Sequence, residues 1–265
     1  MKMGLSTKNV GQLHLFFFTT SSILLMDSIE DRRYKMNAQK LSKRLETVAK
    51  FVPTGAIMAD IGSDHAYLPC YLIHQGTASR AIAGEVVKGP YESAVGQVQK
   101  EGLTEKITVR LADGLAAIEM TDHVDTVTIA GMGGPLIVSI LDKYPEKLQG
   151  VTRLILQPNI HAKVIREWAL AHQWAILDEE ILEEDDKIYE ILVLQRGQMK
   201  LSTAEILFGP KLSQRKSPAF MKKWLREKDN WQRVLQSIEE AEQTPEIEEK
   251  RAELMALIHL VEGVL

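Results

Sequence analysis

Residues 56–68 place the strongest constraint on the fold, because an apolar run stops at a single glycine just where a helical pattern begins. The run 56–61 is typical of a buried strand, and the residues from about 64 to 74 are typical of a helix. A strand, a glycine turn and a helix in this order offer free backbone N–H groups to a small ligand. Gly62 lets that ligand approach the main chain, and Asp60 is suited to hold an ammonium group or an ordered water.

Strand and helix patterns alternate along most of the chain. This alternation predicts an α/β fold with a Rossmann-like, doubly wound and mainly parallel sheet, in which one strand near the edge is reversed. Ligands of such sheets bind beyond the carboxyl ends of the strands. The predicted strands are 56–61, 78–84, 107–111, 124–130, 154–157, 175–182 and 188–194, and the predicted helices are 41–51, 64–74, 91–100, one opening at Gly134-Pro135, and 160–172.

The glycine spacing indicates what kind of cofactor the turn can hold. The dinucleotide pattern G-x-G-x-x-G is absent, so a pyrophosphate ligand is disfavoured. Asp60-Ile61-Gly62 followed by polar residues is instead common in S-adenosylmethionine (SAM)-dependent methyltransferases, whose ligand carries an amino acid and a sulfonium. Taken alone the motif is weak, and a purely structural turn explains it equally well.

Acidic residues and glycines recur at the ends of the next predicted strands. Glu85 follows the second strand and is placed to accept hydrogen bonds from ribose hydroxyls, and Asp113 follows the third, where it can accept from an adenine amino group. The fourth strand runs into 131–134, which holds three glycines. Each feature has an ordinary alternative: a surface glutamate, an Asp-Gly turn or a flexible loop. Taken together they predict cofactor contacts from Asp60, Gly62, Ser63, Glu85, Val86, Asp113, Gly114, Gly131 and Met132.

The chain changes character after Gly197, where only helical patterns remain. Apolar residues recur at helical spacing on both sides of a break at Thr244-Pro245, which predicts two long antiparallel helices in a coiled-coil hairpin. Residues 200–233 are rich in lysine and arginine, and residues 239–262 are rich in glutamate. We therefore predict a catalytic domain over 36–197 and a helical domain over 198–265.

Composition excludes several classes of protein. The formal net charge of −4 excludes a strongly basic field over the whole molecule, so nucleic-acid binding would need a local patch. Cys70 is the single cysteine, which excludes disulfides and thiolate metal clusters and indicates a cytoplasmic protein. The histidines lack metal-ligand spacing, so we predict no metal.

The apolar segment 13–26 superficially resembles a signal peptide, but no small-residue cleavage site follows it and charged residues come next. It is also short and rich in hydroxyl groups for a membrane span. Met36 looks like a second start, so we predict that residues 1–35 are an over-extended start or a disordered extension. A membrane anchor is the weaker alternative.

With these motifs in place, the sequence resembles the TrmK family of bacterial tRNA (adenine(22)-N1)-methyltransferases. The resemblance runs from about residue 41 to the end of the chain, and residues 1–35 depart from it. Asp-His after the glycine turn is distinctive of the group, as is Gly-Met-Gly-Gly where many amino-methyltransferases carry Asn-Pro-Pro-Tyr. The matching stretches are 60–69, 83–94, 112–115, 129–134 and 156–159.

The resemblance implies a Rossmann-like catalytic domain with a C-terminal coiled coil, which moves a methyl group from SAM to an adenine in the D-loop region of tRNA. N1 of neutral adenine carries an in-plane lone pair, so the transfer needs alignment more than a strong base. On this basis Asp64 is expected to stabilise the charge that develops on the base, and His65 and Asn159 to orient it. As alternatives, Asp64 and Asn159 are helix caps and His65 makes local contacts.

Contacts to RNA are expected from one aromatic and several basic residues. Tyr67 could stack on an extruded base, although a core tyrosine is at least as good an interpretation. The basic residues could bind phosphates, in which case binding weakens sharply with salt, or they could be a solvated face paired with the glutamates of the last helix. The predicted contacts are Arg44, Tyr67, Lys211, Arg215, Lys222, Lys223 and Arg226.

Two other functions remain open at this point. A methyltransferase acting on a small molecule or protein would turn over without RNA. A non-catalytic RNA-binding or assembly module would bind no cofactor. A nicotinamide enzyme fits less well because the glycine spacing is wrong. We predict tRNA as the partner, no membrane association, and a monomer or weak dimer.

Overall fold

The computed structural model describes residues 37–239 and 244–265. These residues belong to one compact unit, Met36–Leu265. The predictions made for residues 1–35 lie outside the described residues. Within 37–239 and 244–265, no helix is long and apolar enough to cross a membrane.

Seven strands form one sheet with the order β3-β2-β1-β4-β5-β7-β6. The pairs among β1 to β5 are all parallel, and β7 runs antiparallel to both β5 and β6. The mainly parallel sheet with one reversed strand next to the edge was therefore predicted correctly. The strands are β1 (Ala56–Ile61), β2 (Ala78–Glu85), β3 (Ile107–Leu111), β4 (Thr126–Gly133), β5 (Arg153–Ile160), β6 (Trp174–Glu184) and β7 (Lys187–Arg196).

Helices connect the parallel strands, and further helices follow the last strand along the chain. Three short 3-10 helices lie in the loops at Gly114–Ala117, Met120–Asp122 and Pro145–Leu148. The α-helices are α1 (Lys43–Lys50), α2 (Tyr67–His74), α3 (Lys88–Lys100), α4 (Gly134–Lys143), α5 (Ala162–Ala171), α6 (Thr203–Phe208), α7 (Pro210–Arg215), α8 (Pro218–Glu239) and α9 (Pro245–Val264).

The sheet is buried on both faces, as expected where crossover helices cover parallel strands. Side chains alternate between the faces: Leu154 and Leu156 of β5 lie in one apolar cluster, and Ile155 lies in the other. Because β1 pairs with β2 on one side and with β4 on the other, the strand order reverses between β1 and β4. A doubly wound sheet binds its ligand at such a switch point.

Several strands are longer than predicted, and two of them, β4 and β5, extend toward this switch point. β4 does not end at residue 130 but continues through the glycines to Gly133, and β5 does not stop before Pro158 but continues to Ile160. The two ends pair with each other, since Met132 faces Pro158 in the register. The ladder from β5 to β7 ends at Leu156, so Pro158 has one unpaired edge, a position at which proline is tolerated.

The C-terminal helices pack on β6 through a third apolar cluster, which contains Ile181 of β6, Phe208 of α6 and Trp224 of α8. Val261 near the end of α9 lies in the same cluster, so α9 runs back along α8. These contacts form a helical hairpin, whereas its coiled-coil character and the domain boundary at 197/198 stay predictions.

Ionic groups are buried beneath this hairpin. Arg166 of α5 donates to Glu179 of β6 at 2.7 Å and to Glu190 of β7 at 2.5 Å, and all three side chains are buried. Lys223 of α8 also binds Glu190, and the backbone N–H of Lys211 donates to Glu179 at 2.9 Å. The network therefore joins α5, β6, β7 and the C-terminal helices.

Candidate active site

A cavity of about 270 Å³ opens at the carboxyl ends of β1 and β4. Its position at the switch point is the one expected for the ligand of this fold. It brings together eight of the residues predicted from the sequence and adds Leu45, Leu68 and Ala130. The predicted residues that line it are Arg44, Asp60, Gly62, Ser63, Asp64, Tyr67, Gly131 and Met132.

Asp60 is the buried acidic group of this cavity. Thr128 Oγ1 donates to its Oδ1 at 2.6 Å, and Ser63 Oγ donates to its Oδ2 at 2.7 Å. Burial raises the pKa of Asp60, and these two hydrogen bonds together with the nearby charge of Arg44 oppose that rise. The two donors hold the carboxyl group in one orientation toward the cavity, where a cationic ligand group would favour its charged form.

The turn after β1 differs from the sequence expectation in one respect. Its N–H groups are not free: those of Gly62 and Ser63 both donate to the carbonyl of Gly84, at 2.9 and 3.2 Å, and that of Asp64 donates to Glu85. The close pairing of the turn with the end of β2 uses these donors. The turn therefore offers a ligand a main chain without a Cβ at Gly62 rather than a set of free amides.

Helix α2 begins later than predicted, at Tyr67 instead of Asp64. Asp64, His65 and Ala66 all have positive φ, at 39°, 40° and 52°, which L-residues rarely adopt. Ala66, the residue before the helix, forms no side-chain cap. The alternative that Asp64 caps α2 is therefore wrong, and the strained turn lifts its side chain to the mouth, where it is 72 % exposed.

The ends of β2 and β3 contribute unequally. The buried carboxylate of Glu85 accepts the N–H of Asp64 through Oε1, and burial raises the pKa of Glu85. Val86 is 63 % exposed, and Asp113 pairs with Lys143 at the surface. Neither Val86 nor the Asp113-Gly114 turn lines the cavity. Of the predicted contacts at these two strands, Glu85 alone is next to the glycine turn.

Gln157 organises the ends of β4 and β5, although sequence reasoning missed it. Its buried side chain accepts from the backbone N–H of Gly131 at 2.9 Å and from the guanidinium of Arg44, and it donates to Pro158 O at 2.9 Å. Asn159 in turn donates to the carbonyl of Gly131 at 2.8 Å. The sequence offers one signal for Gln157, which is its position beside Pro158 at the end of a strand. That position is interpreted in the sequence analysis only as the place where the strand ends.

Asn159 is not the cap of the following helix, because α5 begins at Ala162 and the residue before it is His161, with φ 61°. Its side chain donates instead to the carbonyl of Gly131 in β4, at the wall of the cavity. Gly131 has φ 81° where the register between β4 and β5 shifts, a bulge that favours glycine. Asn159 thus lies behind Gly131 and holds this edge of the cavity through the hydrogen bond to its carbonyl.

Two aromatic rings stand at the mouth. The rings of His65 and Tyr67 stack with centroids 5.2 Å apart and planes 19° apart. His65 Nε2 lies 3.5 Å from Asp64 Oδ1. Tyr67 also packs against the core, so the two interpretations offered for it are compatible. On the opposite wall, the Met132 methyl group packs over Gly62, where a Cβ would lie 2.1 Å away.

The predicted basic residues of the C-terminal region differ in their partners. Arg215 binds Asp178 at 2.6 Å, Lys222 binds Glu183 and Lys223 binds Glu190, all on the β6–β7 hairpin. Their partners are thus strand carboxylates rather than glutamates of α9. Lys228 alone of the basic residues on α8 pairs with α9 within the described residues, through Glu262 at 2.8 Å.

No group of three or more His, Cys, Asp or Glu side chains in the described parts of the chain is arranged to hold a metal ion. The absence of a metal stays a prediction.

Cys70 is buried as a free thiol, and burial raises its pKa to about 12.

The sheet order and a switch-point cavity with an acidic group and two glycine turns define a Rossmann-like methyltransferase. Residues 58–263 match the TrmK family, described as tRNA (adenine(22)-N(1))-methyltransferase, and the chain belongs to that family. The family and the enzyme class predicted from the sequence are thereby confirmed.

Three relatives match over nearly their whole length. The tRNA (adenine(22)-N(1))-methyltransferase of Bacillus subtilis is 48 % identical over 87 % of this chain and 99 % of its own. A Streptococcus pneumoniae protein crystallised with SAM is 50 % identical, with TM-score 0.79 over 85 % of this chain and 100 % of its own. TrmK of Mycoplasma capricolum, crystallised with S-adenosyl-homocysteine, is 30 % identical, with TM-score 0.75 over 84 % and 96 %.

Proposed function

We propose that this chain methylates N1 of adenine 22 in tRNA with SAM as methyl donor, and that the switch-point cavity holds the donor. The observation that carries this proposal is the buried carboxyl group of Asp60 in a cavity lined by the glycine turn at Gly62 and the glycine bulge at Gly131. A site of this kind suits a small ligand with a cationic amino acid end and no phosphates. The ligands in the related crystal structures have that chemistry.

The acidic residues of the site fit the two polar ends of SAM. Asp60 supports binding of the ammonium group, because its buried carboxylate gains a compensating positive charge. Glu85 is suited to the ribose hydroxyls, since Oε1 is the one oxygen of this carboxylate with a hydrogen-bond partner among the described residues. Gly62, whose φ of 72° favours a residue without a Cβ, lies in the turn between them.

SAM supplies a methyl group on a sulfonium, and the bond from that carbon to adenine N1 forms as the C–S bond breaks. The N1 lone pair lies in the plane of the base, so no group of the chain has to remove a proton. The product base is cationic, and Asp64 at the mouth is placed to stabilise the developing charge. The stacked rings of His65 and Tyr67 offer a flat surface against which an extruded adenine can be held.

Asn159 and Gln157 act as positioning residues in this scheme. They hold Gly131 and Arg44, which line the cavity, and they need not touch the substrate themselves. Burial lowers the pKa of Arg44, and the nearby Tyr189, Glu184 and Asp60 counteract this effect. Its guanidinium also lies over the Tyr189 ring at 5.5 Å, so Arg44 is fixed from two sides.

Contacts to the tRNA backbone are proposed for Lys211 and Arg226. Neither forms an ion pair among the described residues, so each has charge available for phosphate. Arg215, Lys222 and Lys223 are bound to carboxylates, and we assign them mainly to docking the C-terminal helices on the β6–β7 hairpin. This division refines the set of basic residues expected from the sequence.

The proposed function is tested by nucleoside analysis of tRNA after incubation with methyl-labelled SAM. We expect 1-methyladenosine at position 22 with the wild-type chain, and a large loss with Asp64→Ala at unchanged cofactor affinity. Asp229→Ala, an exposed carboxylate on α8, is the matched control and should leave the product unchanged. Labelling of a protein or small molecule without RNA, or no labelling at all, would overturn the proposal.

A further inference from the structure

A second cavity, of about 450 Å³, lies between α8 and the junction of β5 with α5. Its volume falls in the ordinary range of ligand sites, roughly 300 to 1,000 Å³. It shares no lining residue with the switch-point cavity. We call it the α8 cleft; its walls include Asn159, Ile160, Lys163, Trp224, Arg226 and Trp231.

One part of the α8 cleft is apolar and aromatic. Ile160, at the end of β5, is 61 % exposed, and the Trp231 ring lies next to Trp224 with centroids 6.3 Å apart. Trp224 is only 3 % exposed, yet its indole Nε1 has no hydrogen-bond partner within the described residues. A buried donor without a partner is unfavourable, and an acceptor on a bound ligand would relieve it. These walls fit a flat ring with polar edges.

Another part of the α8 cleft favours negative charge. Lys163, Lys223 and Arg226 line it, against the carboxylates of Glu190 and Glu227. Glu190 is neutralised by Arg166 and Lys223, and Lys163 pairs with Glu167 at 3.5 Å on the surface of α5. Arg226 is thus the lysine or arginine of this wall that forms no ion pair among the described residues.

The first turn of α5 also borders the cleft, with no side-chain cap on its N–H groups. The positive end of a helix dipole adds to the attraction for an anion. A flat ring together with an anion is the chemistry of a nucleotide.

The α8 cleft is one hydrogen bond away from the switch-point cavity. Asn159 lines the cleft, and its side chain donates at 2.8 Å to the carbonyl of Gly131, which lines the switch-point cavity. An RNA strand that presents an adenine to the first cavity therefore has the second within reach of a neighbouring nucleotide. Enzymes that read RNA by sequence stack unpaired bases on aromatic side chains in this way.

We propose that the α8 cleft binds a second, unpaired nucleotide of the RNA substrate, next to the target adenine. Its base rests on Trp231 and Ile160, and its phosphate faces Arg226 and Lys163. This inference rests on the proposed function, because it requires that the substrate is RNA. It gives the enzyme a means to favour an adenine whose neighbour is unpaired and free to stack.

The test pairs a protein variant with altered RNA. Methylation is measured with the full chain on intact tRNA and on tRNAs that lack a single base on either side of the target. We expect Trp231→Ala to lower kcat/KM for intact tRNA by roughly tenfold, mainly through KM for tRNA, because loss of base stacking has about this size. On one of the abasic tRNAs the same substitution should have little further effect, since the base that Trp231 would contact is already missing.

Two further variants keep the outcome decisive. Ile160→Ala changes an exposed side chain, so it tests the α8 cleft even if Trp231→Ala disturbs the packing of α8. Val234→Ala removes an exposed apolar side chain from α8 outside the cleft and should change nothing. If the Trp231 and Ile160 variants lose the same factor on every tRNA, or lose none, the α8 cleft proposal is overturned while the proposed function stands. No methylation of tRNA by the wild-type chain overturns both.

Discussion

Gln157 accepts a hydrogen bond of 2.9 Å from the backbone N–H of Gly131, which fixes the ends of β5 and β4 against each other at the proposed cofactor site. The same oxygen accepts from Arg44, so a single buried amide sets both the bulge of β4 and the position of a cation. The cavity therefore depends on a side chain that does not line it.

Replacing this amide with an apolar group should affect both stability and cofactor binding. Gln157→Leu leaves the Gly131 N–H and the Arg44 guanidinium without their acceptor, which we expect to cost about 1 to 3 kcal/mol in the free energy of unfolding. Urea denaturation measures this loss, and calorimetry with SAM should show weaker binding. Gln149→Leu, at an exposed position, is the control and should stay within about 0.5 kcal/mol of wild type. Equal stability of the two variants would show that the Gln157 contacts are dispensable.

We expect the charged carboxylate of Asp60 to lower the stability of the fold and to be necessary for SAM binding. Burial raises the pKa of Asp60, so folding favours its protonated form. The free energy of unfolding therefore falls as pH rises from the ordinary Asp pKa of about 3.9 toward the raised pKa of the folded state. Asp60→Asn removes this cost. Its Tm should therefore exceed that of wild type at pH 7, and the gap should shrink toward zero as pH falls below about 4.

The same substitution removes the negative charge proposed to bind the SAM ammonium group, so affinity should fall by about tenfold or more. Thr128→Val, which takes away one of the hydroxyl donors of Asp60, should raise the pKa of Asp60 further. We expect it to weaken SAM binding less than Asp60→Asn does. A pH-independent Tm difference between Asp60→Asn and wild type would contradict the assigned burial cost.

Removing one partner from the buried ion pairs beneath the C-terminal helices should lower the free energy of unfolding strongly. Replacing all the partners together should lower it much less. Arg166→Met leaves Glu179 and Glu190 buried without their partner, which should cost about 3 to 5 kcal/mol. Adding Glu179→Gln and Glu190→Gln to that variant should restore much of the loss. The partly exposed pair of Lys228 and Glu262 is the matched control, and Lys228→Ala should cost no more than about 1 kcal/mol in urea denaturation.

Within this network the pH dependence of Glu190 has the opposite sign to that of Asp60, whereas burial raises the pKa of its neighbour Glu179. Burial alone would raise the pKa of Glu190, but Lys223 and Arg166 bring it below its ordinary value. Its contribution to stability is therefore present above the ordinary Glu pKa of about 4.3 and is lost as pH falls through the lowered value. If the stability of wild type did not decline in acid relative to that of a Glu190→Gln single variant, this assignment would be refuted.

The fold was largely predictable because its strands are buried apolar runs separated by glycine and proline signals. Errors occurred where those signals have a tertiary meaning. Pro158 and the glycines 131–134 stop a strand in an isolated peptide, but here each strand end finds its partner in the other, so β4 and β5 continue. A signal local in sequence cannot report a pairing partner more than twenty residues away.

The candidate site was predictable to the extent that topology gathers strand ends at one edge. Asp60, Gly62 and Gly131 were identified on that basis, and Glu85 lies beside them. Gln157 was missed because a buried amide that completes main-chain donors has no sequence signature. Arg166 likewise gives no local sign of burial, since its compensating carboxylates come from β6 and β7.

Two glycines should respond oppositely to the same substitution. A Cβ on Gly84 of β2 would lie 2.8 Å from the Ala117 Cβ, so Gly84→Ala must push the 3-10 helix away from the sheet and should destabilise the chain. Gly96 in α3 has open space around its Cβ position, and Gly96→Ala should stabilise by about 0.5 to 1 kcal/mol through helix propensity. Thermal unfolding of both variants checks the pair. A stabilising Gly84→Ala would mean that the 3-10 helix yields freely.

Salt dependence of tRNA binding should separate free cations from docked ones. The affinity of a protein for RNA falls with salt in proportion to the phosphates it neutralises, so loss of one phosphate contact reduces the slope of log K against log salt by about one. Arg226→Ala should show such a reduction, since Arg226 forms no ion pair among the described residues. Lys222→Ala should change the slope much less, because the cation removed is already balanced by Glu183.

Anisotropy of labelled tRNA between about 50 and 200 mM salt covers the range in which such slopes are measured. Equal reductions for the two variants would mean that Lys222 exchanges Glu183 for phosphate on binding, and would remove the distinction between docking and RNA-binding cations.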